Sequence, residues 1–252
     1  MEDSRNWSGA FVGPEPFGRI VAVAGRWTVP SAVRPALRPY DAAPEEEYHA
    51  SIWIGLDGRR GYPNESLPQI GTSLVVDQSD RSPRHTAWYQ WWVRGRPAHH
   101  RPIEILNFPV SEGDEILASL SVEGNQVRFQ LKNRTRGIFT GFEVPVPDDV
   151  APLGSTAEWI LERPTKVGAR LNYALPDYGT VVFQDCLAVS TVGGADGYVT
   201  KDLANAGLIR MYEIFEHPSR TAHVSIPERL DPSRARVTFR AVPDRSGLEV
   251  GS

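Results

Sequence analysis

The sequence predicts an all-β chain, a large antiparallel sandwich or barrel. Three observations predict it. Short runs of alternating apolar and polar residues recur along nearly all of its 252 residues. Turn-forming residues separate them, with 22 glycines and 21 prolines in the chain. The runs favour Val, Ile, Thr, Trp, Tyr and Phe, which suit a pleated, half-buried surface, and helical spacing is weak.

In chain order, strands are expected at residues 19–30 (RIVAVAGRWTVP), 49–58 (HASIWIGLDG), 69–76 (QIGTSLVV) and 86–93 (TAWYQWWV). Residues 115–123 and 126–132 flank Gly124-Asn125 and read as a hairpin. Further strands are expected at 156–161 (TAEWIL), 179–190 (GTVVFQDCLAVS), 208–215 (LIRMYEIF) and 235–242 (ARVTFRAV). Residues 31–47, rich in Pro, Ala and charge, read as a long surface loop, and 228–234 as irregular. One helical turn is expected near 201–206. The 30 residues before the long loop are too few for a core of their own, so 1–252 is expected to form one domain.

Composition narrows the function classes. With 27 basic and 31 acidic residues the net charge is −4, which argues against nucleic acid or an anionic membrane as main partner. No apolar run approaches the roughly 18 residues of a spanning helix. Three of the basic residues are lysine (Lys132, Lys166, Lys201) and the scattered arginines form no patch. One cysteine, Cys186, rules out an internal disulfide and sits in an apolar strand pattern, as a small buried hydrophobe would. The start, MEDSRNWSGAF, lacks the basic and apolar regions of a secretory leader. The protein is therefore expected to be cytoplasmic, or secreted with its leader not shown. Sequons occur at Asn6, Asn64 and Asn133.

Six histidines lack the spacing of a metal site: there is no HExxH or His-x-His, and His99-His100 on a strand would face opposite ways. No metal and no cofactor is expected. Serine-hydrolase elbow, Walker and dinucleotide patterns are also missing. The aromatic residues say more. Period two places Trp88, Gln90 and Trp92 on one face and Ala87, Tyr89 and Trp91 on the other. A core between two sheets explains one such face; a concave surface holding an extended peptide or sugar explains the second. Glu158 and Gln69 also stand in strand-like company. A carboxylate near an amide can act as general base and oxyanion donor, although strands also carry such residues on solvated faces.

The ordered segments resemble the glutamic peptidase (eqolisin) family. The carriers run from Asn6-Trp7-Ser8-Gly9-Ala10 and Val29-Pro30, through Trp53-Ile54-Gly55-Leu56-Asp57-Gly58, to Leu67-Pro68-Gln69-Ile70-Gly71 and Ala87-Trp88-Tyr89-Gln90-Trp91. Glu112-Gly113-Asp114-Glu115-Ile116, Ala157-Glu158-Trp159-Ile160 and Phe183-Gln184-Asp185-Cys186 follow. The resemblance implies two antiparallel sheets in a lectin-like (concanavalin-like) sandwich around a concave cleft. It implies an acid-leaning endopeptidase with a polypeptide substrate, expected to be monomeric. Glu158 matches the catalytic glutamate and Gln69 the catalytic glutamine, while Trp7, Trp53, Asp57, Trp88 and Gln90 match cleft positions that bind substrate. Where many relatives carry an Asp and a Glu around the Ala-Trp-Tyr run, this chain has Thr86 and Gln90, so a pH optimum less acidic than theirs is expected. The alternative weighed is a non-catalytic or carbohydrate-binding sandwich. A glycosidase would need two close carboxylates, and Leu117 stands where the second acid of the Glu-x-Asp-x-x-Glu pattern should be.

Overall fold

The computed structural model describes residues 1–39, 42–43, 47–59, 61, 66–77, 83–147, 150, 152–193, 197–216 and 220–242. Its strands are β1 (Glu2–Ser4), β2 (Trp7–Val12), β3 (Ile20–Thr28), β4 (Tyr48–Leu56), β5 (Ser66–Val76), β6 (Arg84–Val93), β7 (Ile103–Glu104) and β8 (Glu115–Glu123). There follow β9 (Gln126–Asn133), β10 (Ile138–Pro145), β11 (Ala157–Glu162), β12 (Thr180–Thr191), β13 (Tyr198–Lys201), β14 (Gly207–Glu216), β15 (Arg220–Asp231) and β16 (Arg234–Phe239). They hydrogen-bond in the order β10-β9-β8-β3-β12-β16-β15-β14-β2-β11-β4-β5-β6-β7, with β1 parallel to β14 and β13 antiparallel to β12. The path does not close, so the barrel alternative falls.

The two layers are arms of this one path folded face to face. The Trp159 indole N–H donates to the Ala24 carbonyl at 2.8 Å, tying β11 to β3, and the Trp27 N–H donates to Thr72 Oγ1 at 3.0 Å, tying β3 to β5. β12 turns the corner. Thr180–Phe183 pair with β16, whereas Gln184 onward pair with β3, with a register shift between Gln184 and Leu187. Asp185 within that shift has φ +53°, the local reversal a bulge uses to bend a strand. Cys186 is buried beside it.

One apolar cluster holds buried residues from Ala10 to Val237. Trp27, Trp159, Phe129 and Phe183 are fully buried in it, and each such side chain contributes on the order of 2 kcal/mol. A second, smaller cluster gathers Phe11, Trp53, Leu67, Trp88, Ile160 and Ile209 on the opposite face of the same strands. The two-faced aromatic pattern on β6 thus serves both: Trp91 and Tyr89 join the main core, Trp88 and Trp92 the second cluster.

Several local expectations change. The irregular stretch at 228–234 is the end of β15 and its turn into β16. The helical turn is a 3-10 turn at Leu203–Asn205, whose Ala204 N–H is capped by the Asp202 side chain at 2.8 Å. The hairpin forms as expected, with Gly124 at φ +62°. In the 31–47 loop, residues 40–41 and 44–46 lie outside the described residues, as does the Asn64 sequon. Asn133 is fully buried and bonded to Asp114 at 2.8 Å, which removes it as a glycan acceptor.

Candidate active site

β11 is inserted between β2 and β4, and its alternation sends Glu158, Ile160 and Glu162 to the face carrying the second cluster. Pro68, without an N–H, precedes the point where the β4–β5 ladder begins, so Gln69 is the first β5 residue paired to β4. Register then aligns Gly207, Phe11, Glu158, Gly55, Gln69 and Gln90 in one row across five strand boundaries. Residues in register share a face, so Glu158 and Gln69 point the same way from strands about 9.5 Å apart. The residue between them is a glycine. A Cβ at Gly55 would lie 2.9 Å from the Trp53 ring and 3.1 Å from Leu67 Cδ1, so the gap between carboxylate and amide stays open only without one.

Both side chains are buried, which removes the solvated-face reading of each. Neither Glu158 oxygen makes a hydrogen bond that satisfies distance and angle, and Gln69 Oε1 is likewise without a partner. Desolvation by burial holds the Glu158 carboxyl well above the ordinary range; the Thr156 hydroxyl and the Arg59 cation oppose this, and the Asp57 charge adds to it. The Gln69 amide donates to Gln90 Oε1 at 3.0 Å, and the Gln90 amide donates to the His99 carbonyl at 3.1 Å.

A cavity of about 1270 Å³ opens over this face. Trp7, Gln69, Trp88, Gln90, Trp92 and Glu162 are among its lining residues. Glu158 does not line it; Arg59 does, with its guanidinium 4.8 Å over the ring of Phe11, the register partner of Glu158, and ion-paired to Glu2 of β1.

A carboxylate and an amide thus share one buried row beside the cavity. The Peptidase A4 family model matches residues 5–227. The chain belongs to that family, the glutamic endopeptidases. This Peptidase A4 chain is 28% identical over 214 residues to Aspergillopepsin-2 from Aspergillus niger, across 79% of its own length and 70% of the relative's. Among solved structures, scytalido-glutamic peptidase with a transition-state analogue inhibitor matches with TM-score 0.68 at 17% identity, covering 94% of this chain and 99% of that one. SCP-B, an eqolisin in complex with the tripeptide Ala-Ile-His, matches with TM-score 0.65 at 19% identity and the same coverage. At these identities the structures share the fold.

Within this Peptidase A4 fold the remaining expected site residues divide. Trp7 lines the cavity and packs edge-on against Trp53, with ring centroids 5.0 Å apart at 77°. Trp53 is fully buried beneath it. Trp88 lies one row along from Gln90, on the same face. Asp57 departs from the expected substrate-binding role. Its carboxylate accepts from the backbone N–H groups of Leu153 (2.7 Å), Gly154 (3.1 Å) and Ser155 (2.6 Å) and from the Ser155 hydroxyl (2.9 Å). It fastens the segment leading into β11, and at φ +66° ends β4 sharply.

Sequence reasoning missed Glu162. Its carboxylate accepts from the Trp53 indole at 2.9 Å and the Asn6 amide at 3.3 Å, fixing the indole pair, and burial pushes its pKa up to about 7. The signal was present as the third member of the 158, 160, 162 alternation. The next residue, Arg163, is fully buried and pairs with Glu213 of β14 at 3.0 Å, while its N–H donates to the Asn6 carbonyl at 2.7 Å. Among the described residues no three His, Cys, Asp or Glu side chains gather as a metal site would need.

Proposed function

We propose that the chain cleaves peptide bonds through a Glu158–Gln69 dyad, on an extended polypeptide held in the cavity. The carrying observation is the row that sets the two buried side chains on either side of Gly55 with their acceptor oxygens unpartnered. Buried polar atoms without partners are rare and costly, and a water that donates its protons to these acceptor oxygens would satisfy them. Ionised Glu158 takes a proton from the attacking water and returns it to the leaving amine. Gln69 Oε1 accepts from that water, and the amide N–H not given to Gln90 donates to the developing oxyanion, a contact typically worth about 2.7–4 kcal/mol. The tripeptide bound in the related SCP-B structure supports the substrate class. Trp7, Trp88 and Trp92 supply the apolar walls along which it lies.

The general base must be ionised, and burial raises its pKa, so activity falls on the acid side of a pH above about 4.3, the free Glu value. Thr86 and Gln90 line the cavity as uncharged groups, leaving Glu104 and Glu162 among the carboxylates that line it. The test is digestion of an unfolded protein from acid to neutral pH by the wild type, Glu158→Gln and Gln69→Ala. Loss in both variants supports the dyad. Equal activity in three folded proteins rejects it, and a profile peaking below about pH 3 rejects the milder optimum.

A further inference from the structure

The Gln69 amide is symmetric in shape, and the proposed chemistry works only one way round: oxygen toward the water, nitrogen toward the oxyanion. A neighbour that can only accept or only donate settles such an orientation. The His99 carbonyl is that neighbour. His99 ends the 3-10 turn Pro97–His99, and its carbonyl has no partner within the turn. It can only accept, so the Gln90 nitrogen must face it, at 3.1 Å. Gln90 then presents its oxygen to Gln69, and Gln69 must donate, at 3.0 Å. Its own oxygen is left unpartnered.

We propose that Gln90 is a positioning residue that fixes the Gln69 amide in its productive orientation through a relay anchored on the His99 carbonyl. This rests on the dyad reading. It also gives the position a meaning beyond the loss of a carboxylate. An amide holds both bonds at any pH. A carboxylate there would accept from Gln69 but face the His99 carbonyl with a second acceptor, and would complete the relay only while protonated. The charged and titratable groups around Gln90 are His99 itself, His100 stacked on Trp92 at 5.4 Å, Arg94 over Trp92 at 6.0 Å, and Glu104 opposite Trp88. None of their side chains takes either Gln90 bond.

The experiment compares Gln90→Leu and Gln90→Glu with the wild type in two readouts. In kinetics, Gln90→Leu is expected to lower kcat about 10- to 100-fold at every pH with KM little changed, as for a misplaced catalytic group. Gln90→Glu is expected to lose kcat relative to the wild type as pH rises and the new carboxyl ionises. In ¹⁵N–¹H spectra, the Gln69 side-chain amide is expected to lose its downfield bonded proton in Gln90→Leu and to titrate in Gln90→Glu. A Gln69 amide unmoved by either variant, or a Gln90→Glu profile parallel to the wild type, overturns the relay. Hydrolysis that survives Glu158→Gln while the Gln69 amide responds as expected sinks the dyad reading instead. Should Gln90→Leu fail to fold, the near-isosteric Gln90→Glu titration decides alone.

Discussion

On one face of β11, β4, β5 and β6, Ala157, Trp159, Ile54, Ile70 and Ala87 sink into the main core; on the other, Glu158, Gln69 and Gln90 lie among Trp53, Trp88 and Ile160. Both faces are dry. They differ in how polar atoms are treated. The indoles of Trp27 and Trp159 on the core side give their N–H groups to Thr72 and Ala24, although the Trp91 indole there has no such partner. On the cleft side the Glu158 oxygens, Gln69 Oε1 and Trp88 Nε1 have no such partner. An unsatisfied buried group costs about 1–3 kcal/mol, so the cleft face is held in place by its surroundings and gives up stability that the core face keeps. The holding groups are identifiable: Asp57 on the 153–155 backbone, Glu162 on the Trp53 indole, and Arg163 with Glu213.

This contrast can be broken most sharply at Gly55. Gly55→Ala is expected to lower kcat/KM by about 100-fold by filling the gap in the row and displacing Trp53. Overpacking should cost about 1–3 kcal/mol in urea unfolding. Near-wild-type hydrolysis would mean that the row is not where substrate reacts. Next in size is the fastening pair. Glu213→Ala leaves the Arg163 charge buried and is expected to cost about 3–5 kcal/mol, read from the urea midpoint. A change under about 1 kcal/mol, the level of an exposed pair, would remove it from the support of the cleft.

A pH effect follows from Glu162. The folded chain keeps this proton up to about pH 7, while the unfolded chain releases it near 4.5. Folding therefore takes up a proton between those values, and stability falls as pH rises through that window, by at most about 3 kcal/mol. Glu162→Gln should flatten the slope in pH-dependent urea unfolding; an unchanged slope refutes the assignment. The smallest expected effect is at Arg59. Its charge lowers the Glu158 pKa, so Arg59→Gln should move the acid limb of hydrolysis to higher pH while Arg59→Lys leaves it in place.

Much of the scaffold was legible in period two. β4, β5, β6, β8, β9 and β11 all lie where alternation placed them, and Gly124-Asn125 marked its own turn. β2 was not, because WSGAFV is short and its Ser-Gly-Ala centre carries little of the branched and aromatic content that marks a strand. β15 was masked by Pro227 and a charged end. At the site, the sequence could show that Glu158 and Gln69 sit in strands, and the family resemblance singled them out. Their burial depends on β2 and β4 flanking β11, which no local pattern encodes. The same holds for Asp57, whose partners lie on a distant segment, and for the relay through His99, where a backbone carbonyl carries the information.

The row that sets Glu158 opposite Gln69 also orders events during folding. β2 and β4 come early in the chain, yet the strand between them, β11, comes after β10. A nascent or refolding chain can pair β4, β5 and β6 and so bring Gln69 to Gln90, but Glu158 joins the row only when β11 inserts between β2 and β4. Under the proposed dyad, a copy in which β11 has not yet inserted holds Gln69 without its partner carboxylate and is expected to cleave no peptide bond.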